Sequence, residues 1–240
     1  MKVTLLRHTV DAENILIFTK STRLNMRPSL MKEIRELPYK EKLEQLEYMA
    51  NTIPSSWEFV DYTFLVEGVS RAYTHQQVRT RAASYAQQSM RVNKMADFDF
   101  VMPDRIAENE EAVRAVDQLL DHIKIAYRYL NETLGLPAED ARSILPTNIA
   151  TNIVCKFNLR TFVDLAKSRL GGRTQSEYQK VVNAMVDQVL LVHPWVEKFL
   201  FADDGRDYFN EIESFAEREF GGDLIKKGEL LKIVDKMRKG

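Results

Sequence analysis

Cysteine is almost absent from this chain: Cys155 stands alone among 240 residues. That excludes an internal disulfide, and no CxxC pair exists for zinc or redox work. Net charge is also missing, since 34 Lys and Arg against 35 Asp and Glu leave −1. Nothing therefore draws the whole molecule to nucleic acid or to an anionic membrane, and anion binding must come from local clusters. No run of about 18 apolar residues occurs, and the N-terminus lacks the layout of a signal peptide. A cytoplasmic protein is the expectation. His8, His75, His122 and His193 show no metal spacing such as HxxxH beside a carboxylate, so no metal site is expected. Gly171-Gly172 is not followed by GxGxxG, which leaves a Rossmann cofactor site unsupported. Internal repeats, low-complexity tracts and obvious linkers are lacking too.

What is present is the composition of an ordinary globular protein, 45% hydrophobic and 29% charged, in a chain long enough to bury a substantial core. MKVTLLRHT at the start alternates as a strand does. Helical patterns follow near residues 11–20 and 38–51, the second with Leu43, Leu46 and Met49 on one face, and Pro54 breaks it. Val60, Tyr62, Phe64 and Val66 alternate with Asp61, Thr63 and Leu65, which predicts a half-buried strand ended by Gly68. Ser70 then suits the N-cap of a helix running through the first arginines, with Gln76, Arg79 and Thr80 on one face. From Asp104 to Thr133 the spacing of Val113, Val116, Leu120, Ile123, Tyr127 and Leu130 predicts one long helix, capped by Asp104 and ended by Gly135. Ile149 to Phe157 alternates as a strand. Helices follow near 160–170 and 174–192, a short helical turn at His193-Pro194-Trp195, and charged helix over 206–240. The expected architecture is α+β: one domain over residues 1–240, long helices packed on a mainly antiparallel sheet, with a charged helical tail from about 206.

The segment Gln76–Arg91, QQVRTRAASYAQQSMR, concentrates Arg79, Arg81 and Arg91 with Gln76, Gln87 and Gln88, and carries no acidic residue. An exposed helix face would also collect arginines and glutamines, but it normally supplies carboxylates at i+3 or i+4. Here Ser84 and Ser89 stand among the arginines instead. Guanidiniums beside hydroxyl donors suit a phosphate, which takes bidentate hydrogen bonds from Arg.

From Arg79 the segment reads RTRAASYAQQSMR and resembles the RHRxxSxNxxSxR signature of flavin-dependent thymidylate synthases. Arg79, Arg81, Ser84, Ser89 and Arg91 match; Thr80 replaces His and Ala86 replaces Asn. Upstream, Ser56-Trp57-Glu58 with Val60–Phe64 resembles the family's FEHxxFTF stretch, with Phe59 where His is expected. Ser70-Arg71-Ala72 and Gln76 resemble its SRA…Q lead-in. Downstream, Ala141–Pro146 (ARSILP) resembles ARxxLP, and Asn158-Leu159-Arg160, Arg169 and Gln175-x-Glu177 follow the order of NxR…R…AQxE. The resemblance spans residues from about 50 to 180.

This resemblance implies an FAD-dependent transfer of one carbon to C5 of a pyrimidine deoxynucleotide monophosphate. Methylation of dUMP to dTMP, with methylenetetrahydrofolate and NADPH as co-substrates, is the reaction expected. It also implies a homotetramer with shared active sites. Nucleotide binding falls to Gln76, Arg79, Gln87, Gln88, Ser89, Arg91, Arg142 and Arg169. The flavin falls to Ser55, Glu58, Arg79, Thr80, Arg81, Ala82, Asn158, Arg160 and Arg173, the last standing where a histidine is often found. Arg169, Ser89 and Arg81 are the expected catalytic residues. Cys155 on a strand suits packing better than nucleophilic attack, and the flavin family needs no cysteine nucleophile. Thr80 and Ala86 keep two alternatives open: a flavin-dependent hydroxymethylase acting on dUMP or dCMP, and a flavin- and nucleotide-binding homologue without turnover.

Overall fold

The computed structural model describes all residues except 23, 53, 91–97, 171–173, 202–207, 221 and 240. Two compact units divide the chain, Met1–Leu200 and Phe201–Gly240. In the first, β1 (Lys2–His8) precedes α1 (Ala12–Lys20), α2 (Pro28–Glu36) and α3 (Tyr39–Ala50), and a 3-10 turn at Pro54–Phe59 leads into β2 (Asp61–Ser70). Next come α4 (Arg71–Gln77), β3 (Ala83–Gln87), α5 (Asp104–Ala107), α6 (Glu110–Arg128) and α7 (Ala138–Ala141), the last continued by a 3-10 turn at Arg142–Ile144. Then β4 (Ala150–Asn158), α8 (Leu159–Arg169), α9 (Ser176–Val192) and α10 (Glu197–Leu200) complete the unit. The second unit holds α11 (Tyr208–Phe220) and α12 (Leu224–Lys239). No described helix is long and apolar enough to cross a membrane.

The four strands form one sheet in the order β1-β2-β4-β3, every pairing antiparallel. This is the α+β architecture that the alternating segments imply. Residues on one face of β2 (Tyr62, Phe64, Val66) and β4 (Ile153, Cys155, Phe157) are fully buried, as period-2 alternation requires. Against them pack α8 and α9 through Phe162, Leu165, Val182 and Met185. The Phe64 and Phe162 rings lie 5.8 Å apart, and Tyr62 and Phe162 5.6 Å. Each such side chain contributes about 1.5–3 kcal/mol on burial.

Three local expectations give way. Gly68 does not end β2; the register shifts between Val66 and Val69, and Gly68 sits there at φ 65 as the strand continues to Ser70. A glycine absorbs that left-handed kink without a Cβ clash. The expected long helix from Asp104 divides at Asn109, whose side chain accepts from Glu111 N and Ala112 N and so starts α6 afresh. The basic segment is the third. Its helix stops at Gln77, and Ala83–Gln87 instead pairs with β4, Tyr85 opposite Cys155. The Tyr85 hydroxyl lies 2.9 Å from both the Gln77 carbonyl, which ends the helix, and the Thr80 carbonyl in the turn after it.

Candidate functional site

Ser70 does cap α4, accepting from Tyr73 N at 3.0 Å. Its own N–H and hydroxyl donate to the two oxygens of Glu177, at 2.7 and 2.6 Å. The glutamate of the Gln175-x-Glu177 segment thus anchors the start of α4. One residue pair further, Gln76 Nε2 donates to Gln175 Oε1. These bonds fasten the N-terminus of α9 to the helix that leads into the basic segment. A cleft of about 840 Å³ opens beside them, with Ser70, Thr147, Gln175, Glu177 and the ion pair Asp104–Lys180 on its walls.

The sequence-derived site residues fall into three groups. The first surrounds the turn after α4. Arg79 and Arg81 are exposed, Ala82 is exposed beside them, and Thr80 is half-buried. Arg169 stands at the end of α8, its guanidinium 5.0 Å from the centre of the Tyr178 ring. Arg169 Nε is buried without a hydrogen-bond partner among the described residues. Burial raises the pKa of the Tyr178 hydroxyl, and the adjacent Arg169 and Thr80 work against the rise. It therefore remains a neutral donor.

The second group gathers where β3 ends. Gln87 Nε2 donates to Thr74 Oγ1 at 2.8 Å, leaving its amide oxygen uncommitted by that bond. Gln88 N donates to Asn152 O at 3.0 Å, and Gln88 O accepts from Arg71 Nη2 at 3.3 Å. Ser89 follows, exposed. Arg142 lies in the 3-10 turn after α7 and donates from Nε to Glu139 O at 3.2 Å. Burial first and the charge of Arg142 second lower the pKa of the Arg71 guanidinium.

The third group joins the other flavin-assigned positions. Arg160 Nη1 donates to Glu58 Oε1 at 2.7 Å, and both side chains are about half exposed. Asn158 caps α8, accepting from Thr161 N at 2.9 Å. Ser55 lies exposed on the 3-10 turn that carries Glu58, with Phe59 60% exposed at the position where the signature calls for histidine. Arg91 and Arg173, expected at the nucleotide and the flavin respectively, lie outside the described residues.

Residues 4–195 match the family described as thymidylate synthase complementing protein. The chain belongs to that family. Flavin-dependent thymidylate synthase from Geobacter sulfurreducens is 32% identical over 214 residues, covering 85% of this chain and 87% of the relative. The protein of the same name from Clostridium tetani is 29% identical over 216 residues, covering 83% and 86%. The one from Nitratidesulfovibrio vulgaris is 41% identical over 136 residues, 54% of this chain, and the match spans only 56% of that relative's length.

Within this member of the family, reading the residues alone assigned no role to Arg71 or Tyr178. Arg71 carried a legible signal: an arginine opening a helix with Thr74 and His75, not carboxylates, at i+3 and i+4. Tyr178 carried none, because its spacing with Val181, Val182 and Met185 is that of a core-facing stripe. Among the described residues no group of three His, Cys, Asp or Glu side chains gathers as metal ligands.

Proposed function

We propose that the protein is an FAD-dependent thymidylate synthase that transfers one carbon to C5 of dUMP. Methylenetetrahydrofolate and NADPH are its co-substrates, in a homotetramer whose subunits share active sites. The observation that carries this reading is Arg169 at the end of α8, a guanidinium seated over the Tyr178 ring whose buried Nε has no hydrogen-bond partner among the described residues. Held in that position, the guanidinium offers its terminal N–H donors to a ligand. A pyrimidine carbonyl oxygen accepts from such donors, and the bond strengthens as negative charge develops on the oxygen during attack from C5. Preorganised donors of this kind contribute about 3–4 kcal/mol to a transition state.

The donor set also fits a flavin dinucleotide. Arg79 and Arg81 are exposed cations for its pyrophosphate, and Thr80, Ala82, Ser55, Asn158 and the Glu58–Arg160 pair supply polar edges. Bound flavin supplies the reducing equivalents. The protein's part is to orient and to exclude water. Arg142, with Gln88 and Ser89, holds the nucleotide phosphate; Gln76 and Gln87 direct amide groups to the sugar and base; Arg169 holds charge at the carbonyl. Arg91 and Arg173 take their roles in this reading from the family resemblance.

Purified protein reconstituted with FAD should bind it and change its absorbance when dUMP is added; colourless protein with no dUMP response would rule the reading out. Arg169→Ala should raise the dUMP Kd at least tenfold while leaving the circular dichroism spectrum unchanged. Thr80 and Ala86 favour a second reading, because neither offers the ring nitrogen or amide of the family signature and Ala86 lies exposed on β3. In it the product carries a hydroxymethyl group on dUMP or dCMP. Mass spectrometry of the nucleotide product separates the two readings, and retention of both ligands without turnover would mark a binding protein.

A further inference from the structure

Three segments distant in the chain meet at Arg71. Its backbone N–H donates to Ile149 O at 3.1 Å and Ala72 N to Thr147 O at 2.8 Å, tying the start of α4 to the loop between the Arg142 turn and β4. Its Nη2 reaches Gln88 O, the last carbonyl before Ser89, at 3.3 Å. Arg142 opens the turn that runs into this loop, with Leu145 N bonded to Arg142 O at 3.1 Å and Arg142 Nε held by Glu139 O at 3.2 Å. Arg71 Nε is buried and has no hydrogen-bond partner among the described residues. None of the ion pairs among the described residues includes Arg71 or Arg142.

Two guanidiniums on adjoining segments that no described carboxylate pairs repel each other. The arrangement is relieved by a ligand that bears more than one negative charge and several acceptor oxygens. A phosphate monoester has both, and two guanidiniums can each give it paired hydrogen bonds. We propose that Arg71 is a phosphate-binding residue that shares the nucleotide's phosphate with Arg142, an inference that rests on the nucleotide reading above. Gln88 O holds Nη2 and Nε is buried, which leaves Nη1 for the ligand. Arg142 approaches from the turn after α7, so the phosphate is gripped from two directions.

Isothermal titration of the FAD-loaded protein with dUMP and with 2′-deoxyuridine tests this, since the two ligands differ only by the phosphate. Arg71→Gln should weaken dUMP at least tenfold and leave the affinity for 2′-deoxyuridine within twofold. Arg71→Lys, which restores the charge but not the fork, should recover part of the loss. The FAD affinity, followed by flavin fluorescence, should stay within twofold in both variants, separating nucleotide phosphate from flavin pyrophosphate. Equal weakening of dUMP and 2′-deoxyuridine would assign Arg71 to bracing Gln88 and overturn the proposal. An Arg71→Gln protein that keeps its full preference for dUMP, or one that loses FAD instead, would overturn it as well. If Arg71→Gln does not fold, Arg71→Lys alone decides by the same ratio. Wild-type protein that binds no dUMP overturns the functional reading and this inference with it; wild-type binding with an unchanged ratio in the variants overturns only the inference.

Discussion

His193 ends α9 buried, 5% exposed, with its Nδ1 2.9 Å from the Tyr62 hydroxyl and its ring 5.0 Å from that of His8. Burial holds Tyr62 protonated, so the hydroxyl donates and Nδ1 accepts, which leaves the imidazole proton on Nε2. Burial first and His8 second lower the His193 pKa to about 4 from 6.5. The unfolded chain then binds a proton that the folded chain refuses between those values. Stability contributed by neutral His193 is complete above pH 6.5 and is lost as pH falls toward 4, by about 2 kcal/mol or more. Thermal melts across that range should show the loss, and His193→Asn should flatten this part of the slope. Cys155 poses a simpler question. It is fully buried and its thiol is pushed up to about 12 by desolvation, so almost no thiolate exists at neutral pH. Native protein should resist thiol reagents until unfolded, and Cys155→Ala should retain turnover while losing about 1 kcal/mol of stability.

At the level of elements, the sheet frames the site, and its irregularities matter as much as its strands. The Gly68 bulge lets β2 run on to Ser70 and so sets where α4 begins. A Cβ there would meet Met1 N no closer than 3.4 Å, but at φ +65. Gly68→Ala should therefore cost about 1 kcal/mol through backbone strain alone, a fall of about 2–4 °C in Tm. The strands β1, β2 and β4 were legible as alternation, and α3, α8 and α9 as helical spacing with breakers at their ends. β3 was not. Ala82–Gln88 is rich in helix formers, and only the open edge of β4 and the seat of Tyr85 make it a strand. Helix α2 passed unread, although Pro28 opens it and Leu30 and Ile34 share its buried face. The cationic character of the site was plain from the absence of acids around Arg79 and Arg81. The attachment of Arg71 to the loop after the Arg142 turn was not, because it depends on the β2–β4 pairing and on the bonds to Thr147 and Ile149.

For the whole molecule, Arg142 and Arg169 belong to different side-chain groups, one at the end of β3 and one at the end of α8. In the proposed homotetramer with shared sites, a complete site would draw these groups from different subunits. Arg142→Ala and Arg169→Ala proteins, each inactive alone, should then regain part of the wild-type rate when unfolded and refolded together. The mixture would stay inactive if each protomer built its site from its own residues. Native mass spectrometry of the mixture would check that hybrid assemblies form.

Tyr85 stands between the two positions where the signature is broken. Its hydroxyl lies on the Gln77 and Thr80 carbonyls, and its ring meets Phe157 edge-on at 6.1 Å. The backbone route from Thr80 to Ala86 is thereby held by the tyrosine and by β4, independently of the side chains at either end. Those two positions are open to exchange without disturbing the frame. Thr80→His and Ala86→Asn should drop into a chain path already laid for them, so a change of chemistry at these two positions leaves the backbone as it is.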